Sequence, residues 1–197
     1  MTTSRAPRLF VMAVLAVLGG CLQARPDRTR FFLLNGETPS GHEAGVTEVG
    51  LGPINLPQYL DRPEMVSRVD DYEVRVEQDA QWAEPLHDGL LRALRQDLSR
   101  SLGATIVAYP WDPGKAPAQT IEIEVRRFER RVDGNAELVV LYTAKDSAAT
   151  RPAVPRELRL VEPISSPGGD AAVAAQSRLL TSLANEIARD LEARARH

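Results

Sequence analysis

The chain has 197 residues, 43% of them hydrophobic and 26% charged, with a formal net charge of -3 at neutral pH. This is the profile of a one-domain globular protein with enough chain to bury a core. The acidic balance argues against binding nucleic acid or an anionic membrane face through bulk charge, and cleavage of an amino-terminal segment carrying Arg5 and Arg8 would shift it to -5.

Such a segment is legible at once. Arg5 and Arg8 make a positive n-region, and Leu9 to Leu18 is an apolar run of about ten residues, well short of the ~20 needed to span a bilayer. The sequence therefore predicts a lipoprotein signal peptide over residues 1-20. Leu18-Gly19-Gly20-Cys21 has the small-small-Cys ending of a bacterial lipobox, and Cys21 is the sole cysteine, so no internal disulfide can form. Cys21 is read as the lipidation site, the acylated first residue of the mature chain. Several acyl chains, each contributing roughly 0.8 kcal/mol per buried methylene, hold a protein to a membrane that it does not cross. Residues 21-30 read as the lipidated cysteine and a polar linker, whose nine residues after the cysteine reach at most about 30 Å. Leu22, where an aspartate would mark inner-membrane retention in enteric bacteria, favours the outer membrane.

Residues 31-197 read as one α/β domain. Phe31 to Leu34 suits a buried first strand, and Val46 to Ile54 a second, ended by Gly52-Pro53. Met65 to Val69 and the alternation Tyr72, Val74, Val76 give two more. Leu86, Leu90, Leu94, Leu98 and Leu102 recur every four residues, which predicts an amphipathic helix with Glu84 and Pro85 in its first turn and Gly103 closing it. Thr105 to Tyr109 is again β, so the strands flanking this helix are expected to run parallel through a right-handed crossover. Ile121, Ile123 and Val125 alternate with charged residues, as do Leu138, Val140 and Tyr142, and Asp133-Gly134-Asn135 between them is a hairpin-turn signal. Leu158 and Leu160 mark a further strand. A final helix starts at Asp170 as N-cap and carries Val173, Leu180, Leu183, Ile187 and Leu191 to about Arg196. The fold class is a mixed β-sheet covered by two main helices, the second at the C-terminus.

No catalytic set emerges. His42, His87 and His197 pair with no second histidine or cysteine at metal-ligand spacing, and no nucleophile elbow, phosphate-binding glycine loop or His-Glu-x-x-His is present. Cofactors and metals are expected to be absent. Arg126, Arg127, Arg130 and Arg131, interleaved with Glu122, Glu124 and Glu129, read either as an anion or lipid-headgroup site or as a salt-bridged sheet surface. Trp82 and Trp111 fall at element boundaries.

The stretch Leu56, Pro57, Gln58, Tyr59, Leu60, Asp61, Arg62, Pro63 stands out. Its two prolines forbid a helix and impose a shaped, extended loop. That loop is either a strand exit, with Leu60 packed inward and Asp61 and Arg62 solvated, or a partner-docking element. The string Gly-Pro-x-x-Leu-Pro-x-Tyr-Leu-Asp-Arg-Pro (Gly52 to Pro63), followed by Val66 and Arg68 and by Trp-Ala-Glu-Pro-Leu (Trp82 to Leu86), resembles the PqiC/YmbA family of lipoproteins. Members are auxiliary subunits of MCE-type, ABC-transporter-like lipid transport systems. The resemblance implies a non-catalytic, outer-membrane-anchored subunit facing the periplasm, with an MCE-domain protein as partner, no nucleic acid, and scope for a homo-oligomeric ring in which the alanine-rich last helix meets its neighbours. Leu56, Pro57, Tyr59, Leu60, Asp61, Arg62 and Pro63 would carry the partner contacts. An independent periplasmic lipid carrier is the alternative.

Overall fold

The computed structural model describes residues 28-36, 45-147 and 152-195; the expectations for the signal segment, Cys21, His42 and His197 lie outside them. Eight strands and two helices follow in the order β1 (Arg30–Phe32), β2 (Gly45–Asn55), β3 (Glu64–Arg68), β4 (Val74–Trp82), α1 (Leu86–Leu102), β5 (Ala104–Ala108), β6 (Gln119–Arg131), β7 (Asn135–Asp146), β8 (Arg156–Pro163) and α2 (Gly169–Ala195). The mixed sheet with two covering helices is the architecture expected from the sequence.

β6 is the spine. It is long because Ile121, Ile123, Val125 and Phe128 all face the core, and a register shift between Val125 and Arg127 keeps Phe128 on the buried side. One edge of β6 pairs antiparallel with β7 through the Asp133-Gly134-Asn135 turn, and β7 pairs antiparallel with β8. The other edge is shared. β2 lies parallel to its first half, up to Glu124, and β3 lies parallel to its end, at Arg130 and Arg131. β5 extends the first branch, and β4 then β1 extend the second. The sheet is thus forked, and the 56-63 loop, which joins β2 to β3, sits in the fork.

Two expectations are corrected here. β4 runs antiparallel to β3 while β3, β6, β2 and β5 are mutually parallel, so the strands flanking α1 are not parallel to one another. The parallel partner of β5 is β2, and the crossover contains the β3-β4 pair as well as the helix. Second, β2 does not end at Gly52-Pro53 but continues to Asn55 across an irregularity in its pairing with β6. Gly52 absorbs it with φ of +118°, a value side chains rarely adopt, and a Cβ there would stand 2.7 Å from that of Tyr109. Smaller shifts are that β1 is an edge strand with Phe31 exposed and stops before Leu33, and that β4 begins after the fully exposed Tyr72 and continues to the buried Trp82. Pro85 is the N-cap residue of α1 and Glu84 precedes it, and Asp170 lies within the first turn of α2 and not at its cap.

Both helices cover one face. α1 turns Leu86, Leu90, Ala93, Leu94 and Leu98 inward and ends at Gly103 in left-handed conformation. α2 lies beside it, joined by Ser101 to Asn185 and by Thr181 to Asp97 hydrogen bonds. Ala171, Ala172, Ala175, Ala184 and Ala188 are buried within the chain's own fold. The small side chains of α2 therefore serve the approach of helix to sheet, the intramolecular use of that face.

Among the described residues no helix is long and apolar enough to cross a membrane.

Candidate functional site

The loop in the fork is divided between anchor and tip. Leu56, Pro57 and Tyr59 are half-buried and Leu60 is buried, whereas Gln58, Asp61, Arg62 and Pro63 are exposed. Turn hydrogen bonds from Leu60 N to Pro57 O (2.9 Å), Asp61 N to Gln58 O (3.2 Å) and Arg62 N to Leu60 O (2.9 Å) fix its course, and Trp82 N donates to Pro63 O at 2.7 Å. Arg62 Nε donates to Glu64 Oε2 at 3.1 Å. The geometry fits the strand-exit reading: Leu60 packs inward and the charged tip stands in solvent.

What holds the anchor is a buried ion pair. β3 carries Arg68 and β6 carries Glu129, both buried on the face away from the helices. Arg68 Nε donates to Glu129 Oε1 at 2.5 Å, and Nη1 to the Asp70 carbonyl at 3.3 Å. Glu129 Oε2 accepts the Tyr59 hydroxyl at 2.9 Å and the Phe128 backbone N–H at 2.9 Å. The last bond answers a problem the fork creates. Between Glu124 and Arg130, β6 has no strand on that edge, so its peptide groups there need other partners. Glu129 satisfies the Phe128 N–H, and Tyr59 Oη lies 3.3 Å from the Arg126 carbonyl. The Arg68 guanidinium also lies over the Tyr59 ring, 5.8 Å from its centroid.

The electrostatics follow from these contacts. Burial raises the Tyr59 pKa, and the neighbouring Glu129 charge raises it further, so the phenol stays a donor across the ordinary pH range. Burial works against the Arg68 charge, but the bond to Glu129 outweighs it and holds the guanidinium above its ordinary pKa. Tyr59→Phe removes one hydrogen bond to a carboxylate that keeps two others; unfolding in urea should show a loss of about 1-2 kcal/mol, and an unchanged midpoint would mean that the bond contributes nothing.

A second buried carboxylate lies directly across the β6-β7 pair, where Glu129 faces Glu137. Three guanidiniums converge on Glu137: Arg159 Nε at 2.6 Å, Arg131 Nη1 at 3.2 Å and Arg127 Nη1 at 3.5 Å. Burial raises the Glu137 pKa, and the hydrogen bonds from Arg159 and Arg131 more than reverse this, leaving it below the usual carboxylate range. Of the arginines singled out in the sequence, Arg126 pairs instead with Glu124 and Glu157, and Arg130 with Glu77 at 2.9 Å. Sequence reasoning missed Arg68 as an anchor and missed Arg159 and Glu137 altogether. Only Glu137 left a signal, a charge inside an apolar run at Ala136-Glu137-Leu138.

Two clefts remain. One of about 320 Å³ lies between β1, β3, β4 and the start of α2, lined by Arg30, Glu77, Asp79 and Arg130 among others, and a shallower groove of about 670 Å³ runs beside α1 and β5. Charged side chains line both. Among the described residues no group of three or more metal-ligating side chains converges.

The fold and site are those of a forked α/β sheet that clamps a proline-bounded loop and leaves the loop's charged tip in solvent. Comparison with known families narrows this: the model for ABC-type transport auxiliary lipoprotein components matches residues 32-188, and the chain belongs to that family. Among solved structures it is similar to an uncharacterized protein, with 19% identity, 83% of this chain and 98% of the other covered and a TM-score of 0.70. It is also similar to protein XCC0632 from Xanthomonas campestris, with 21% identity, coverage of 84% and 99% and a TM-score of 0.65. At these identities the likeness speaks for the fold alone. No curated protein matches.

Proposed function

We propose that the protein is a non-catalytic lipoprotein subunit of an ABC-type intermembrane lipid transport complex, held in the outer membrane by an acylated Cys21 and facing the periplasm. Residues 31-197 act as its working domain, and the tip of the 56-63 loop docks an MCE-domain partner. The observation that carries the docking part is the division of the loop, in which Tyr59 and Leu60 are spent on the protein's own interior while Asp61, Arg62 and Pro63 are exposed. A loop fixed before binding loses little conformational entropy when a partner arrives. Membership of a transport auxiliary lipoprotein family supports the assignment to a transport complex. A homo-oligomeric ring would form through surfaces other than the alanine face of α2, which is used within the chain.

The test uses the full-length, lipid-modified protein carrying an affinity tag and recovered from membranes. Asp61→Lys with Arg62→Glu reverses both tip charges without touching the Glu129 network, so recovery of the MCE-domain protein should fall by roughly tenfold or more, while stability falls by no more than about 1 kcal/mol through loss of the exposed Arg62-Glu64 pair. Undiminished recovery would remove the tip from the interface. Cys21→Ser should shift the protein from the membrane to the soluble fraction, and an unaltered distribution would overturn the anchoring.

A further inference from the structure

The Glu137 cluster holds more positive charge than its own structure consumes. Glu137 lies on the face away from the helices, yet it is fully buried, with three guanidiniums converging on it. One carboxylate balances one of them, and Asp133 balances a second by accepting Arg131 Nε at 3.0 Å. Of the neighbouring acids, Glu129 is engaged by Arg68, and Glu124 and Glu157 share Arg126. A guanidinium has five N–H donors, and among the described residues Arg127 and Arg159 each use one, both on Glu137. Their side chains remain 32% and 63% exposed, so the unused donors are open to a ligand from solvent.

The register places these two arginines as a pair. Arg127 lies opposite Val139, and Val139 opposite Arg159, one row across β6, β7 and β8. Strand spacing of about 4.8 Å puts their Cα atoms roughly 10 Å apart, and each reaches a different oxygen of the same carboxylate. Two guanidiniums held on the two oxygens of one buried carboxylate are set for a second, tetrahedral anion on the solvent side, since planar N–H forks match phosphate oxygens. The exposed Val161, opposite Glu137, gives the row an apolar margin.

We propose that Arg127 and Arg159, positioned by Glu137, form a phosphate-binding site on the helix-free face of the sheet. The ligand is a phosphate group with exposed oxygens, and inorganic phosphate and the headgroup of a phospholipid share that chemistry. The site depends neither on Cys21 nor on the 56-63 loop.

The full chain in neutral detergent is titrated at low ionic strength, once with inorganic phosphate and once with dihexanoyl phosphatidic acid, and heat of binding is read. Saturable binding is expected, weakened roughly tenfold or more for both probes by Arg127→Gln with Arg159→Gln, and unchanged by Arg178→Gln, whose side chain pairs with Glu162 on the other face. Phosphatidic acid binding at least tenfold tighter than phosphate assigns the site to a lipid headgroup, and equal affinities assign it to the free anion. If the double variant does not fold, Arg159→Gln alone serves, since Arg159 sits exposed on the outermost strand. No saturable binding of either probe, or binding that the arginine variants retain, overturns the proposal.

Discussion

Arg68→Met should lower the unfolding free energy by about 3-5 kcal/mol, the cost of leaving one member of a buried ion pair without its partner. Methionine fills most of the space but returns no hydrogen bond to Glu129, which stays enclosed with its Tyr59 and Phe128 contacts. Arg68→Met combined with Glu129→Gln should be about 2 kcal/mol more stable than Arg68→Met alone, because the amide carries no charge and its oxygen still accepts the Phe128 N–H and the Tyr59 hydroxyl. Urea unfolding of the three proteins decides the matter, and equal midpoints for the single and double variants would show that the charge is not what makes the loss of Arg68 costly. Because Tyr59 is tied to the same carboxylate, the Arg68→Met protein should also hold the 56-63 loop less firmly, seen as faster amide exchange at Leu60 and Asp61.

Glu137→Gln should have the second largest effect, about 2-3 kcal/mol at neutral pH, because three guanidiniums lose the charge that holds them together. It should also alter the response to acid. The folded-state pKa of Glu137 is depressed relative to an ordinary glutamate of about 4.3. Its contribution is therefore fully present above the unfolded value and is lost as pH falls through the lower folded value, since in that window the unfolded chain binds the proton more readily. The native protein should lose stability steeply below about pH 4.3, and the Glu137→Gln protein should show a shallower slope there. Parallel slopes would mean that Glu137 has no part in the acid response.

Chain-local information carried much of this protein. Leucines every four residues from Leu86 to Leu102 dictate a helix whatever surrounds them, because a period near 3.6 leaves one apolar stripe to bury. Asp133-Gly134-Asn135 dictates a hairpin, and the prolines at 57 and 63 dictate a loop that cannot be helical. The same local logic failed where strands choose partners. Nothing in residues 74-108 says that β5 will pair with β2 rather than run beside β4, since local periodicity marks a strand without naming its partner. The β6 irregularity at Arg127 was equally hidden, and with it the fact that Glu129 and Glu137 meet across the strands.

The sequence by itself determined the order of most helices, strands and turns, and that a segment that cannot be helical lies between Leu56 and Pro63, because those outcomes depend on dihedral restriction and on apolar spacing within a few residues; it expected that segment to be extended, and the structure folds it into turns. Only the tertiary structure decided that Tyr59 turns inward to Glu129 and where the buried charges meet. Arg68 and Glu129 are 61 positions apart in the chain, and Arg159 reaches Glu137 across 22. Such pairs form when a forked sheet leaves peptide groups and carboxylates short of water, a condition that exists only once the strands have been assembled.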